Sequence, residues 1–84
     1  MELEFKFFHL NILKCSDAGI YTGYTADLVD RLDRHQRGSV HSTNNRRPVE
    51  LIFYASFPDK YKAMDFERYL KSGSGRAFLN KRFI

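Results

Sequence analysis

Two apolar segments near the start of the chain are separated by a turn so short that they must fold back on each other. Residues 5–14 are rich in aromatic and branched side chains and alternate imperfectly. Phe8, Leu10 and Ile12 fall on one face, and His9 and Asn11 on the other. Ser16-Asp17-Ala18-Gly19 is a turn sequence, and Ile20 to Tyr24 is a second run with strand character. Residues 5–24 are therefore predicted to form an antiparallel hairpin.

The rest of the chain supplies what covers that hairpin. Thr25 is a good helix cap, and Asp27 sits in the first turn, where the helix dipole favours an anion. A helix is predicted from Ala26 to Arg37, with Leu28, Val29 and Leu32 as its apolar stripe and Gly38 as its stop. Residues 39–47 are polar and read as an exposed loop. Pro48 then admits a third strand, Val49 to Phe57. Pro58-Asp59 opens a second helix that runs to Lys71. Gly73 and Gly75 break it, and a short basic helix, Arg76 to Phe83, closes the chain. The order ββαβαα predicts an α+β fold: a three-stranded, mostly antiparallel sheet with helices packed on it.

With 84 residues, the chain has room for one domain, spanning 1–84. Eight Phe and five Tyr give so small a domain a usable core. The single cysteine, Cys15, excludes an internal disulfide framework and a four-cysteine zinc site. Its turn position reads as structural rather than nucleophilic. His9, His35 and His41 lack metal-ligand spacing. No apolar run approaches the ~20 residues of a bilayer span, and the first ten residues carry acids where a signal peptide needs a basic start. A cytoplasmic protein without membrane contact is the expectation.

The formal net charge is +4, and its distribution is uneven. From Arg31 to Arg47 there are five Arg and one Asp; from Lys71 to the end there are four bases and no acid. Two basic segments on an otherwise acidic body point to a face for a polyanion. The plainer alternative is two solvated surfaces that happen to be basic.

Three features are out of place for a purely structural pattern. At about 100° per residue, Glu67 lies only about 40° from Ala63 and inside the sector that holds Phe66 and Leu70. A carboxylate there is costly unless paired, hydrogen-bonded or bound to a metal. Pattern alone favours an ion pair with an Arg or Lys, or a carboxylate at the edge of the stripe, over a metal ligand. Arg31 and His35 are four apart and stack on one side of the first helix, beside its apolar stripe. Arg grips phosphate oxygens and His moves protons near neutral pH, although a surface Arg and a surface His are the commoner case. Gly23, in Tyr21-Thr22-Gly23-Tyr24-Thr25, removes a side chain from the sheet surface. Tyr21 shares its face and stands either beside an open patch or in the core.

Taken in order, these blocks resemble the GIY-YIG nuclease superfamily, especially its small stand-alone members. The blocks are Cys15-Ser16-Asp17, Tyr21-Thr22-Gly23-Tyr24-Thr25, Asp27-Leu28-x-x-Arg31-Leu32-x-x-His35 and Arg46-Arg47-Pro48-Val49-Glu50-Leu51, followed by Glu67 and Asn80. The resemblance implies that Tyr21 helps deprotonate an attacking water and that Arg31 holds the scissile phosphate. It places His35 beside that Arg as hydrogen-bond partner or proton acceptor. Glu67 becomes the sole carboxylate ligand of one Mg²⁺ or Mn²⁺ ion, which reverses the ordering that pattern alone gave, and Asn80 buttresses the site. Two departures are visible. The tyrosine of the family's first signature is replaced by Asn11, and a lysine that many members carry after the second signature's glycine is replaced by Tyr24. Loss of a positioned acid–base group costs about 10²–10⁴ in rate. His9, on the strand face of Asn11, is a candidate stand-in for the missing phenol.

The resemblance implies a divalent-metal-dependent endonuclease that hydrolyses DNA, rather than RNA, phosphodiesters. Arg46, Arg47, Arg76, Lys81 and Arg82 are the expected nucleic-acid contacts. So small a domain offers little surface for reading sequence, so cutting is expected to be structure-directed or weakly specific, aided by a partner protein or a second copy of the chain. The alternative is a nucleic-acid-binding module on the same fold that no longer cleaves, favoured by Asn11. A weaker third reading is a protein-interaction module built on the aromatic N-terminus.

Overall fold

The computed structural model describes residues 6–83. The element order is β1 (Phe8–Lys14), β2 (Ile20–Thr25), α1 (Leu28–Arg37), β3 (Glu50–Phe57), α2 (Lys60–Leu70) and α3 (Gly73–Arg82). β1 is the central strand, antiparallel to both neighbours, in the order β2-β1-β3. This is the α+β, ββαβαα arrangement that the pattern predicts. The predicted start of the first strand, at Phe5, lies outside the described residues.

The hairpin turn closes as its residues dictate. Cys15 N–H donates to the Gly19 carbonyl at 2.9 Å, and the Asp17 carboxylate accepts from Gly19 N–H at 2.8 Å. Alternation then sorts the side chains onto two faces. Leu10 and Ile12, both fully buried, face α2 and α3, where they meet Leu70 and Leu79, with Phe57, Phe66 and Phe78 around them. Leu13, Cys15 and Val49 face the other way, against Tyr21, Leu32 and Leu51. Between these two sets the β1–β3 register shifts: Ile12 pairs with Phe53 but Leu13 pairs with Leu51. Ile52 is thus the extra residue of a β-bulge, and it joins Phe53 against the α2–α3 core.

The helix boundaries refine the sequence expectations. Asp27, not Thr25, caps α1, its carboxylate accepting from Asp30 N–H at 3.0 Å. Thr25 instead accepts from Asp27 N–H at 3.1 Å, which tightens the chain into the helix start. Gly38 ends α1 at φ 81°, a left-handed conformation that suits glycine. Val29 is 80% exposed and does not belong to the apolar stripe; His35, fully buried, does. The polar loop after Gly38 is also less exposed than its composition implies, because Val40 and Thr43 are buried within it.

Gly73 and Gly75 open α3 rather than precede it. Ser72 is the cap, accepting from Gly75 N–H at 3.3 Å. A side chain at Gly75 would run into the backbone of Tyr69 and Leu70, so glycine lets the start of α3 pack directly on the end of α2. A Cβ at Gly73 meets nothing within 4 Å. Gly75→Ala should therefore destabilise the protein by about 1–3 kcal/mol, the usual cost of overpacking. Gly73→Ala should be neutral or stabilising by up to about 1 kcal/mol through helix propensity. Urea unfolding of both variants checks this, and an equal loss in the two would contradict it.

Candidate functional site

The second signature lies on β2, the strand at one edge of the sheet. Alternation sends Tyr21 and Gly23 to the α1 face and Tyr24 to the α2 face. Gly23 is buried, and a Cβ there would lie 2.8 Å from the Tyr21 hydroxyl and 3.0 Å from its ring. The absent side chain is what allows the Tyr21 ring to lie across the strand.

Three of the expected site residues meet on this face. Arg31 donates from Nη2 to the Tyr21 hydroxyl at 3.2 Å. The Tyr21 and His35 rings meet edge-on, with centroids 4.7 Å apart. Arg31 is half-buried and retains further N–H groups beyond the one bonded to Tyr21. His35 does not bond Arg31. Its Nδ1 pairs with the Thr43 hydroxyl at 2.7 Å, and its Nε2 is buried with no partner. Asn11 lies on the same sheet face, opposite Gly23 and Tyr54, and both atoms of its buried amide also lack partners. Leaving such groups unpaired costs about 1–3 kcal/mol each.

Glu67 lies elsewhere. It projects from α2 into an open cleft of about 270 Å³ that it shares with Tyr24, Met64, Arg68 and Lys71. Its side chain is 19% exposed, and Lys71 Nζ donates to its Oε1 at 2.7 Å. No hydrogen bond or ion pair joins Glu67 to Tyr21 or Arg31. The site is therefore divided between the two faces of β2, with Tyr21, Arg31 and His35 on one and Tyr24 and Glu67 on the other.

Several expected contacts have other partners. Arg46 forms a two-pronged pair with Asp17, at 2.7 and 3.2 Å, pinning the loop to the hairpin turn. The guanidinium and the Gly19 N–H hold the Asp17 carboxyl below its ordinary value. Arg47 donates to the Asn44 and Gln36 carbonyls at 3.1 and 3.3 Å. Both arginines, expected as nucleic-acid contacts, are thus tied to the protein itself. Arg76, Lys81 and Arg82 are exposed and have no ion pair among the described residues. Asn80 is exposed on α3 and makes no side-chain hydrogen bond with the described residues, so it does not buttress the site in this structure. His9 pairs through Nδ1 with the Ser56 hydroxyl at 2.6 Å, two residues along β1 from Asn11. Burial pushes the Cys15 thiol up, away from the reactive thiolate.

Neither Thr43 nor Lys71 stands out in the sequence as a site residue. Thr43 carries no readable signal, because it reaches His35 across a polar loop. Lys71 was readable: it stands four residues after Glu67, the spacing of a helical ion pair.

Metal fit can be judged from the donor set. Among the described residues no group of three His, Cys, Asp or Glu could hold an ion. A single half-buried carboxylate opening on a cleft suits Mg²⁺ or Mn²⁺, which keep several waters and accept substrate phosphate oxygens. Glu67 fits as that ligand once its oxygen is released from Lys71.

The comparisons with known proteins agree with this fold. The family described as the GIY-YIG catalytic domain matches residues 8–82, and the chain belongs to that family. Within it, the chain is 40% identical over 81 residues to a UPF0213 protein of Pediococcus pentosaceus, covering 92% of this chain and 85% of that one. It is 46% identical over 72 residues to the UPF0213 protein YazA of Bacillus subtilis, covering 84% and 71%. The solution structure of the UPF0213 protein BH0048 from Bacillus halodurans superposes with a TM-score of 0.57 at 33% identity, covering 89% of this chain and 83% of that one. No helix of the described residues is long and apolar enough to cross a membrane.

The buried imidazole yields a pH prediction. Burial, and secondarily the Arg31 charge, hold His35 below its ordinary value of 6.5. The unfolded chain then binds a proton that the folded chain refuses. The stability from this group is complete above about pH 6.5 and is lost as pH falls toward the lower folded value. An NMR titration should place the His35 midpoint below 6.5, and a folded His35→Gln variant should lose this component of the acid sensitivity. A midpoint at or above 6.5 would contradict the burial argument.

Proposed function

We propose that the protein is a metal-dependent endonuclease that hydrolyses phosphodiesters in DNA, with structure-directed or weak sequence specificity. The observation that carries this reading is the Tyr21 hydroxyl held against the Arg31 guanidinium over Gly23, in a chain of the GIY-YIG family. A guanidinium beside a phenol provides one group for the phosphate oxygens and one for the attacking water. Arg31, with donors to spare, would stabilise charge on the equatorial oxygens. Tyr21, polarised by the guanidinium, would hold the nucleophilic water and take part in its deprotonation.

His35 has a supporting part in this scheme. It is fully buried and bonded to Thr43, so it fixes the Tyr21 ring from beneath instead of exchanging protons with solvent. Glu67 would hold one Mg²⁺ or Mn²⁺ ion, which when bound supplies charge neutralisation at the leaving oxygen. Tyr21 and Tyr24 are three residues apart on an edge strand, about 10 Å at strand rise. A phosphate chain following that edge would meet the guanidinium from one face and the carboxylate from the other. The exposed Arg76, Lys81 and Arg82 would add sequence-independent attraction.

The second reading is a nucleic-acid-binding module that does not cleave. It is favoured by Asn11, whose buried amide cannot shuttle a proton, and by the ion pair on Glu67. Nicking of supercoiled plasmid or branched DNA separates the two. The nuclease reading expects product only with Mg²⁺ or Mn²⁺, and a drop of about 10²–10³ for Arg31→Ala and for Glu67→Gln. Activity that survives Glu67→Gln would overturn it. Metal-independent binding with no product would establish the second reading.

A further inference from the structure

The Glu67–Lys71 pair presents a conflict that the metal reading must resolve. The ammonium sits 2.7 Å from Oε1 of the one carboxylate available for the ion. A divalent cation and an ammonium cannot share one side of a carboxylate without strong repulsion. Yet the two partners differ in mobility. The Lys71 side chain is 56% exposed and carried at the C-terminal cap of α2, whereas the Glu67 side chain is 19% exposed. The lysine can swing out on its four-carbon stem, whereas burial holds the carboxylate in place.

The arrangement also states what the lysine does for the free protein. A half-buried carboxylate without a partner is costly. Lys71 supplies a counter-ion that does not depend on the metal. Arg68, which also lines the cleft, instead lies near Asp65, at 3.8 Å.

We infer that Lys71 is an internal stand-in for the metal: it occupies the cation position on Glu67 in the free protein, competes with the divalent ion, and is handed to a substrate phosphate when the ion binds. This rests on the reading that Glu67 is the metal ligand. The handover makes metal and phosphate chain bind cooperatively. The phosphate draws the ammonium off the carboxylate, and by linkage the ion strengthens phosphate binding by the same factor. Metal binding is then weak until nucleic acid is present.

The test is a Mn²⁺ titration followed by the EPR signal of the free ion, on wild type, Lys71→Met, Lys71→Gln and Glu67→Gln. Both Lys71 variants should bind Mn²⁺ roughly five- to tenfold more tightly than wild type, and Glu67→Gln should lose that site. A phosphorothioate oligonucleotide should strengthen Mn²⁺ binding to wild type more than to either Lys71 variant. Equal Mn²⁺ affinity in wild type and Lys71 variants, lost in Glu67→Gln, would overturn the inference while the metal reading stands. Equal strengthening by the oligonucleotide would overturn the handover. Absence of Glu67-dependent binding in every protein would remove the metal reading and the inference together.

Discussion

The alternation of side chains along β2 governs the rest of the site. Tyr21 and Gly23 must share one face of the sheet and Tyr24 must take the other. Because Gly23 has no side chain, the Tyr21 ring can lie across the strand and reach Arg31 from α1. Because Tyr24 points the opposite way, it meets α2 and the cleft around Glu67. A side chain at position 23 would displace the Tyr21 hydroxyl, and with it the contact between strand and helix. The family's second signature is thus a statement about space on an edge strand.

Much of this was legible in the sequence because it follows from period and chain punctuation. The two strand runs and the Ser16-to-Gly19 turn define the hairpin, and Gly38 stops α1 as its position implies. Glu67 betrays itself by falling on an apolar stripe, and the simplest physical reading of that fact, a pair with a nearby base, is what the structure contains. The resemblance supplied the idea of a metal there, which no periodicity could supply. What was not legible came from tertiary contacts. Gly75 looks like a breaker until the backbone of α2 is seen against it. The internal partners of Arg46 and Arg47, Asp17 and two backbone carbonyls, lie across the loop from them and leave no mark in the sequence. Thr43 sits in a polar loop and gave no sign that it would be buried under His35.

The α1 face also contains two buried polar groups that the fold leaves unpaired, the Asn11 amide and His35 Nε2. Both lie on the side of the sheet where the Tyr21 ring rests. The turn around Cys15, by contrast, is closed by local hydrogen bonds and tied to the following loop by the Asp17–Arg46 pair.

The proposed activity requires a divalent ion at Glu67 of α2, in the cleft it shares with Tyr24 of β2, within reach of a phosphate held by Arg31. The most direct measurement is the pattern of Mn²⁺-induced paramagnetic broadening in the NMR spectrum of the protein bound to a phosphorothioate oligonucleotide. An ion at Glu67 should broaden the Met64 methyl group and the Tyr24 ring most strongly, with Tyr21 and Arg31 next. Broadening centred on the exposed acids of α1, Asp30 and Asp33, with the Glu67 cleft unaffected, would contradict it.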